Sequence, residues 1–257
     1  MGKKIIRVIA VVLIPVVCLY LLTLLLTPKY VNDIPEGSMI AEYYKSEKNN
    51  DVLILGDCEV YENISTVKMW EEYGITSYIR GSSEQLIWQS YYLLEDTLKH
   101  ETPKVVVLSM LAMSEADAKS EAYNRMTLDG MRWSKSKWNS IKESMTEKET
   151  MGSYIFPLLR YHSRWSELSS DDIKYMFNKP KVTSNGYLMQ VGVRPVTTVP
   201  KVSPLANYTF SDRNYEYLDK IKDLCNEKGI KLVLIKAPSI FPHWYDEWES
   251  QIQDYAN

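Results

Sequence analysis

Short apolar runs bounded by turn residues constrain the fold of this chain most. Residues 51–57 (Asp-Val-Leu-Ile-Leu-Gly-Asp) and 104–109 are apolar almost throughout, a pattern typical of strands buried on both faces of a sheet. Between them the sequence predicts a helix over 65–73, a strand over 76–80 and a helix over 83–100. Strands that alternate with helices over short links indicate a parallel sheet covered by helices on both faces.

The same pattern returns near the end of the chain. We predict a helix over 211–228 that ends at Gly229, a fourth buried strand over 230–236 and a helix over 244–255. Residues 112–210 form a long insertion, which we expect to lie over the strand ends as a lid or substrate-shaping layer. The predicted fold class is α/β, a flavodoxin-like doubly wound parallel sheet of three layers with a helical insertion.

An apolar stretch sets the N-terminal part of the chain apart. Residues 5–26 are almost wholly apolar, and at about 1.5 Å per residue they reach across a hydrocarbon core of about 30 Å. Three basic residues precede the stretch and one follows it closely, a bias that keeps the N-terminus cytoplasmic. Because no small-residue cleavage site follows, an uncleaved transmembrane anchor is favoured over a signal peptide. The expected organisation is an N-terminus and anchor over 1–29, a linker over 30–50 and an extracytoplasmic domain over 51–257.

Charge and cysteine usage narrow the classes of partner. Residues 1–29 hold four of the 30 basic residues and none of the 33 acidic ones, so the remainder carries a net charge of −7. This negative charge disfavours binding to nucleic acid and electrostatic binding to anionic lipid through a polybasic surface. Cys18 lies in the apolar stretch, and Cys58 and Cys225 allow at most one disulfide. Without a CxxC or a histidine pair at helical spacing, we expect no metal site and no cofactor.

The carboxyl ends of the strands select the candidate site, because ligands of parallel sheets bind there. Asp57, Cys58 and Glu59 follow the first strand, Gly81 the second and Ser109 the third. Helix N-terminal amides would stabilise a thiolate at Cys58 and favour a catalytic role. The alternative is that Cys58 is a small, buried packing residue in the core. Likewise, Gly81 either brings its N–H to an oxyanion or serves as a turn glycine.

A second set of candidates lies in the insertion. Arg160, His162 and Arg164 occur within five residues of one another. Two guanidinium groups in a cleft wall would hold an anionic polymer or headgroup. The alternative is a solvated helix face, on which surface charges are common and contribute little to stability.

Several segments resemble the SGNH/GDSL hydrolase superfamily. Residues 55–61 (Leu-Gly-Asp-Cys-Glu-Val-Tyr) resemble its nucleophile block, in which a Gly-Asp-Ser turn presents a serine, and residues 78–83 resemble its glycine block. Over residues 45–257 the chain is more specifically similar to a bacterial membrane-anchored branch, close to proteins that move acyl groups onto cell-wall polymers. The segments that carry this likeness are 70–78, 129–131 and 156–165.

This resemblance implies an esterase or O-acyltransferase that acts on acyl esters of cell-envelope glycans, polymers or lipids. Cys58 would attack the acyl carbonyl, and the backbone N–H groups of Cys58 and Gly81 would bind the oxyanion. The expected substrate contacts are Asp57 and Glu59, together with Arg160, His162 and Arg164 of the insertion. The resemblance also implies a membrane acyltransferase as a partner.

The chain also departs from the superfamily pattern. Cys58 replaces the serine, Glu59 stands where relatives often carry histidine, and Ser109 is only nearest in position to the asparagine of the third block. No histidine is preceded by aspartate three residues earlier, as the Asp-x-x-His pair requires. We therefore expect either a truncated sequence that lacks the fifth strand or a noncatalytic relative, a scaffold or an envelope-polymer-binding protein.

Overall fold

A computed structural model describes most of the chain. The described residues are 2–192, 195, 198, 201, 203–238 and 244–257, with side-chain burial described from residue 11 onward. They fall into two compact units. The smaller unit comprises Met1–Pro35 and Glu149–Lys181, and the larger unit comprises Glu36–Lys148 and Val182–Asn257.

The larger unit contains a four-stranded sheet in which every strand pair is parallel and the strand order is β2-β1-β3-β4. The strands are β1 (Val52–Gly56), β2 (Ser77–Gly81), β3 (Val105–Ser109) and β4 (Lys231–Ile235). All four lie where the sequence predicts them, three at apolar runs and β2 at residues 76–80, to within about one residue. The α/β class and the parallel sheet are confirmed.

Helices connect the strands and form the rest of both units. In chain order they are α1 (Gly2–Leu26), α2 (Glu36–Glu42), α3 (Cys58–Asn63), α4 (Thr66–Tyr73), α5 (Ile87–Thr97), α6 (Glu121–Leu128), α7 (Lys135–Ser144), α8 (Met151–Ile155), α9 (Leu158–Tyr161), α10 (Ser170–Lys174), α11 (Asp212–Lys228) and α12 (Asp246–Ala256). Short 3-10 turns lie at Tyr43–Lys45, Met110–Ser114 and His162–Ser166. The predicted helices at 65–73, 211–228 and 244–255 are confirmed.

Helix α5 begins four residues later than the sequence pattern predicts. Residues 83–86 form a loop instead of a first helical turn, and Glu84 there has a φ of 51°. The side chain of Gln85 bonds to the ends of the two neighbouring strands, which requires an open loop at this point. A tertiary contact therefore overrides the local helical pattern.

The segment predicted as a linker contributes to the core of the larger unit. Residues 36–45 form α2 and a 3-10 turn, and their Met39, Ile40 and Tyr43 side chains are fully buried. Tyr43 stacks edge-on against Tyr78 of β2, with 5.2 Å between ring centroids. Apolar side chains spaced three and four apart drive this burial despite the charged residues between them.

In the smaller unit, basic side chains cap the C-terminus of α1. Lys29 Nζ donates to the carbonyl oxygens of Leu24 and Thr27, both at 2.6 Å, and Arg164 Nη1 donates to that of Leu26 at 2.6 Å. Asp172 pairs with both cations, at 3.7 Å from Lys29 and 3.2 Å from Arg164. The positive charges thus satisfy carbonyls that a helix end leaves without partners.

Taking the described residues alone, we find no helix with both the length and the apolar character needed to cross a membrane. The anchor expected over residues 5–26 stays a prediction.

Candidate functional site

A cleft of about 640 Å³ opens in the larger unit at the carboxyl ends of the strands. Asp57 and Cys58 line it from the turn after β1, and Glu84 and Gln85 from the loop after β2. The remaining lining residues are 111–116, Lys119, Leu205, Asn207, 209–211, Tyr245 and Trp248. The two ends of the 112–210 insertion therefore contribute walls to the cleft, at the place that the strand-end rule selects.

The turn after β1 places Cys58 at the cleft surface. Asp57 is the N-cap of α3, and its Oδ1 accepts a hydrogen bond of 3.0 Å from the backbone N–H of Glu59. Cys58 is the first residue of α3 and is an exposed, free thiol. Gly56 has a φ of 149°, and a Cβ there would lie only 2.6 Å from Cβ of Ser109. Glycine is required because β1 and β3 approach closely where the chain turns.

Gln85 joins the ends of β1 and β2 beneath the cleft. Its Oε1 accepts from the backbone N–H of Gly56 at 3.1 Å and from Ser90 Oγ at 2.9 Å. Its Nε2 donates to the carbonyl oxygen of Arg80 at 3.2 Å. Sequence reasoning missed this residue, because a buried glutamine carries no periodic signal.

Negative charge surrounds the thiol of Cys58. Partial enclosure by the cleft walls and four carboxylates raise the pKa of Cys58 to about 12. Those carboxylates belong to Asp57, Glu62, Glu59 and Glu84. The shift runs opposite to the expected one, because enclosure of the thiol by the cleft walls disfavours the thiolate and the carboxylates disfavour it further. At neutral pH Cys58 is therefore a protonated thiol.

Asp57 titrates near neutrality for a related reason. Burial of its carboxyl group, reinforced by the charges of Glu59 and Glu84, raises its pKa to about 7. The hydrogen bond from the Glu59 N–H opposes this rise but does not cancel it. The cleft thus holds a carboxyl group that can accept or release a proton at physiological pH.

An ion-pair bridge lies at the edge of the cleft. Lys119 is the one basic side chain among the described lining residues, and its Nζ lies 2.7 Å from Glu84 Oε2 and 2.8 Å from Glu115 Oε1. Although partial burial opposes it, hydrogen bonding to these carboxylates raises the pKa of Lys119. Because Lys119 neutralises only one of its two carboxylate partners, the net charge of this group stays negative.

Aromatic rings form the wall contributed by the C-terminal part of the chain. The rings of Tyr245 and Trp248 meet edge-on with 4.7 Å between centroids, and Phe210 lies 5.6 Å from Trp248. Trp244 extends the cluster at 5.5 Å from Trp248. Sequence reasoning predicted the helix that carries Trp248, but not that Trp248 would pack against Phe210 and line the cleft together with it.

Three of the predicted site residues lie beside the cleft without lining it. Gly81 is buried, and a Cβ there would lie 3.0 Å from the carbonyl oxygen of Gly56 and 3.1 Å from Cδ1 of Tyr61. Ser109 is fully buried, and its Oγ accepts from the backbone N–H of Leu111 in the following 3-10 turn at 3.4 Å. Glu59 is buried and acts on the cleft through its charge. None of the three appears among the described lining residues.

Arg160, His162 and Arg164 lie in the smaller unit, whereas Cys58 lies in the larger one. Arg160 and Arg164 line a groove of about 530 Å³ formed within the smaller unit. The guanidinium of Arg164 already donates to the Leu26 carbonyl oxygen at the C-terminus of α1 and forms an ion pair with Asp172. His162 is exposed, with Nδ1 at 3.2 Å from the Leu158 carbonyl oxygen.

No described histidine lines the cleft. His100 instead packs near the rings of Tyr43 and Tyr44, at centroid distances of 6.4 and 6.1 Å. His243 lies outside the described residues, as does Ser239, which follows β4 in the sequence. A base for Cys58 must come from a carboxylate if it comes from the described part of the cleft.

Cys58 and Cys225 are both free thiols, and Cys225 is buried in α11. Within the described ranges, no cluster of three or more His, Cys, Asp or Glu side chains is arranged to hold a metal ion. No protein-family model, curated protein or solved structure matches the chain. The resemblance to the SGNH/GDSL superfamily therefore stays a prediction.

Proposed function

We propose that this chain is a membrane-anchored, extracytoplasmic protein of SGNH/GDSL-like, flavodoxin-like fold that binds a cell-envelope glycan or polymer without turning it over. The parallel sheet, the cleft at its strand ends and the Leu-Gly-Asp-Cys turn support the fold assignment. One observation carries the functional proposal: the thiol of Cys58, in the nucleophile position, is kept protonated by enclosure in the cleft and by neighbouring carboxylates, and no described histidine lines the cleft.

A protonated thiol makes a poor catalyst of acyl transfer. The thiolate is the attacking species, and a pKa near 12 leaves almost none of it at neutral pH. Hydrolysis would also need a base to activate water, and the described cleft provides no histidine for this. The surroundings of Cys58 therefore suit contact with a ligand better than attack on one.

The cleft walls indicate the chemistry of the ligand. Aromatic rings of Phe210, Tyr245 and Trp248 offer flat apolar faces, while Glu84 and Asn207 supply polar groups along the rim. Such a lining matches a sugar, which has apolar faces and a periphery of hydroxyl or amino groups. The excess of carboxylates disfavours an anionic polymer at this cleft.

Titration calorimetry on the full chain in detergent tests the proposal. The probes are a neutral N-acetylglucosamine oligomer, its deacetylated amine-bearing counterpart and poly(glycerol phosphate). We expect the first two to bind and the anionic polymer to bind least. Tyr245→Ala should weaken binding because Tyr245 lines the cleft, whereas Tyr255→Ala, on the same C-terminal segment outside the lining, should not. Absence of binding by both sugars, or equal affinity for all three probes, would refute the proposal.

The second candidate is an esterase or O-acyltransferase on acyl esters of envelope glycans, polymers or lipids, with a membrane acyltransferase as partner. The exposed thiol of Cys58 in the cleft, next to a carboxyl group that titrates near pH 7, favours it. Sγ would bond to the acyl carbon as Asp57 takes the thiol proton, and the ester C–O bond would break as Asp57 passes that proton to the departing oxygen, which leaves as the alcohol. An acceptor hydroxyl would then take the acyl group and regenerate the thiol.

Intact-mass measurement separates the two candidates. The chain is incubated with p-nitrophenyl acetate at pH 7 to 9, beside a Cys58→Ala control. An acetyl adduct at Cys58 with turnover above the control would establish the enzyme and displace the binding proposal. We expect neither, since the thiol stays protonated over this range.

A further inference from the structure

The segment Glu149–Lys181 exposes an unusual number of large apolar side chains. Trp165 is 73% exposed and Phe177 is 76% exposed, where side chains of this kind are normally covered. The full set, called here the apolar patch, is Ile155, Phe156, Leu159, Trp165, Leu168, Ile173 and Phe177. Seven large apolar side chains exposed within one segment of 33 residues indicate a contact with a protein, a ligand or a membrane.

The secondary structure of the segment suits a membrane surface. It consists of the short helices α8, α9 and α10 and a 3-10 turn, none longer than five residues. Local backbone hydrogen bonds such as Phe156 N–H to Gly152 O and Tyr161 N–H to Pro157 O form these short turns. Aromatic rings such as Trp165 favour the headgroup boundary, where one edge is apolar and the other wet.

The charge of the segment differs from that of its surroundings. Glu149–Lys181 holds five basic and four acidic residues, whereas the rest of residues 30–257 holds 21 basic and 29 acidic ones. One of the four acidic residues, Asp172, is paired with Lys29 and Arg164. Within the extracytoplasmic part this segment is therefore the one that anionic lipid would not repel.

The segment that carries the apolar patch also packs against α1 inside the smaller unit. Arg164, next to Trp165 in the chain, holds the Leu26 carbonyl at the C-terminus of α1. The α1 side chains from Val11 to Leu22 that are described as exposed are themselves mostly large and apolar. One lipid phase would cover both surfaces, which selects a bilayer over a soluble protein as the occupant.

We propose that residues 149–181 are an interfacial membrane-binding platform, with Phe156, Trp165 and Phe177 seated among the headgroups and upper acyl chains beside the C-terminal end of α1. The platform adds contact area to the single helix and lies in the membrane plane rather than across it. This inference rests on the membrane anchoring proposed above.

Tryptophan quenching by brominated lipid tests the platform directly. Trp165 is the only one of the seven tryptophans that falls in the smaller unit, and α1 contains none. Insertion of α1 alone therefore places no tryptophan in lipid. The full chain is reconstituted in phosphatidylcholine–phosphatidylglycerol vesicles with bromine at a shallow or a deep acyl position.

We expect clear quenching that is stronger with shallow than with deep bromines, and loss of most of it in Trp165→Phe. The matched control is Trp70→Phe, because Trp70 is 59% exposed on α4 of the larger unit. That variant should keep the full quenching. Both substitutions are at exposed positions and leave an aromatic ring in place, so neither should disturb folding.

The possible failures are distinguishable. Release of the full chain from the vesicles by carbonate would refute the anchoring itself. A chain that stays bound, but whose quenching is unchanged by Trp165→Phe, would refute the platform alone. Absence of quenching together with a dilution-dependent shift of the Trp165 emission would assign the patch to a second copy of the chain and also overturn the inference.

Discussion

A buried ion pair between β2 and α5 yields the most quantitative prediction. Arg80 of β2 has a side chain with 0% exposure, and Asp96 of α5 has 3%, with 3.2 Å between Nη1 and Oδ2. Nη1 of Arg80 also donates to the Leu93 carbonyl oxygen at 3.0 Å and to Thr97 Oγ1 at 2.8 Å. Tyr44 completes the network, since its OH donates to Asp96 and accepts from Arg80 Nη2.

Asp96→Ala would leave the guanidinium of Arg80 buried without its counter-charge. Neutral oxygens from Leu93 and Thr97 would satisfy part of its hydrogen bonding but none of its charge. Breaking a buried pair in this way costs about 3–5 kcal/mol. Because a domain of this kind is stable by about 5–15 kcal/mol, the substitution should remove a large share of the free energy of unfolding.

Urea unfolding of the full chain in detergent, followed by circular dichroism, measures this cost. The control is Glu72→Ala, which breaks an exposed pair with Lys68 at 3.3 Å and should cost at most about 0.5 kcal/mol. The double variant Arg80→Met/Asp96→Leu should recover most of the loss, since it removes both charges together. If Asp96→Ala costs no more than Glu72→Ala, the assignment of a buried, desolvated pair is wrong.

Three further predictions concern the cleft. Folding raises the pKa of Asp57 to about 7, so the wild type should lose stability as pH rises from 4 to 7 and its carboxyl group ionises. Asp57→Asn removes this loss and should therefore raise the free energy of unfolding above pH 7 by on the order of 3 kcal/mol, with almost no change at pH 4. Paired urea titrations of the variant and the wild type would detect the difference. Alkylation of Cys58 at pH 7.4 should be slower than that of a peptide thiol by about tenfold or more. Glu84→Gln should accelerate the reaction, because it removes a nearby negative charge. Rapid labelling of the wild type, read by mass spectrometry, would contradict the raised pKa of Cys58. Gly56→Ala should cost about 3 kcal/mol or more in a thermal or urea unfolding assay, because its Cβ would lie 2.6 Å from that of Ser109 at a φ of 149°; a neutral effect would show that the strands separate easily here.

Local sequence was sufficient to predict the secondary structure that builds the sheet. The sequence pattern predicted all four strands, three of them as apolar runs, and the predicted helix after residue 211 ends where Gly229 takes a left-handed conformation with a φ of 66°. Such features depend on burial periodicity and on residues within one turn, so they can be read without knowing the fold. The strand-end rule also placed Cys58 in the cleft, because parallel strands bring their carboxyl ends to one edge.

Only the tertiary structure decided how the site behaves. Enclosure by the cleft walls contributes most to the raised pKa of Cys58, and the charge of Glu84, which is distant in the chain but lines the same cleft, adds to it. Arg80 lies in the segment that resembles a glycine block, and folding pairs its side chain with Asp96 in the core. The insertion divides between units, with residues 149–181 joining the N-terminal helix. Charge interactions and burial depend on distances in space, and a linear pattern of residue types does not contain those distances.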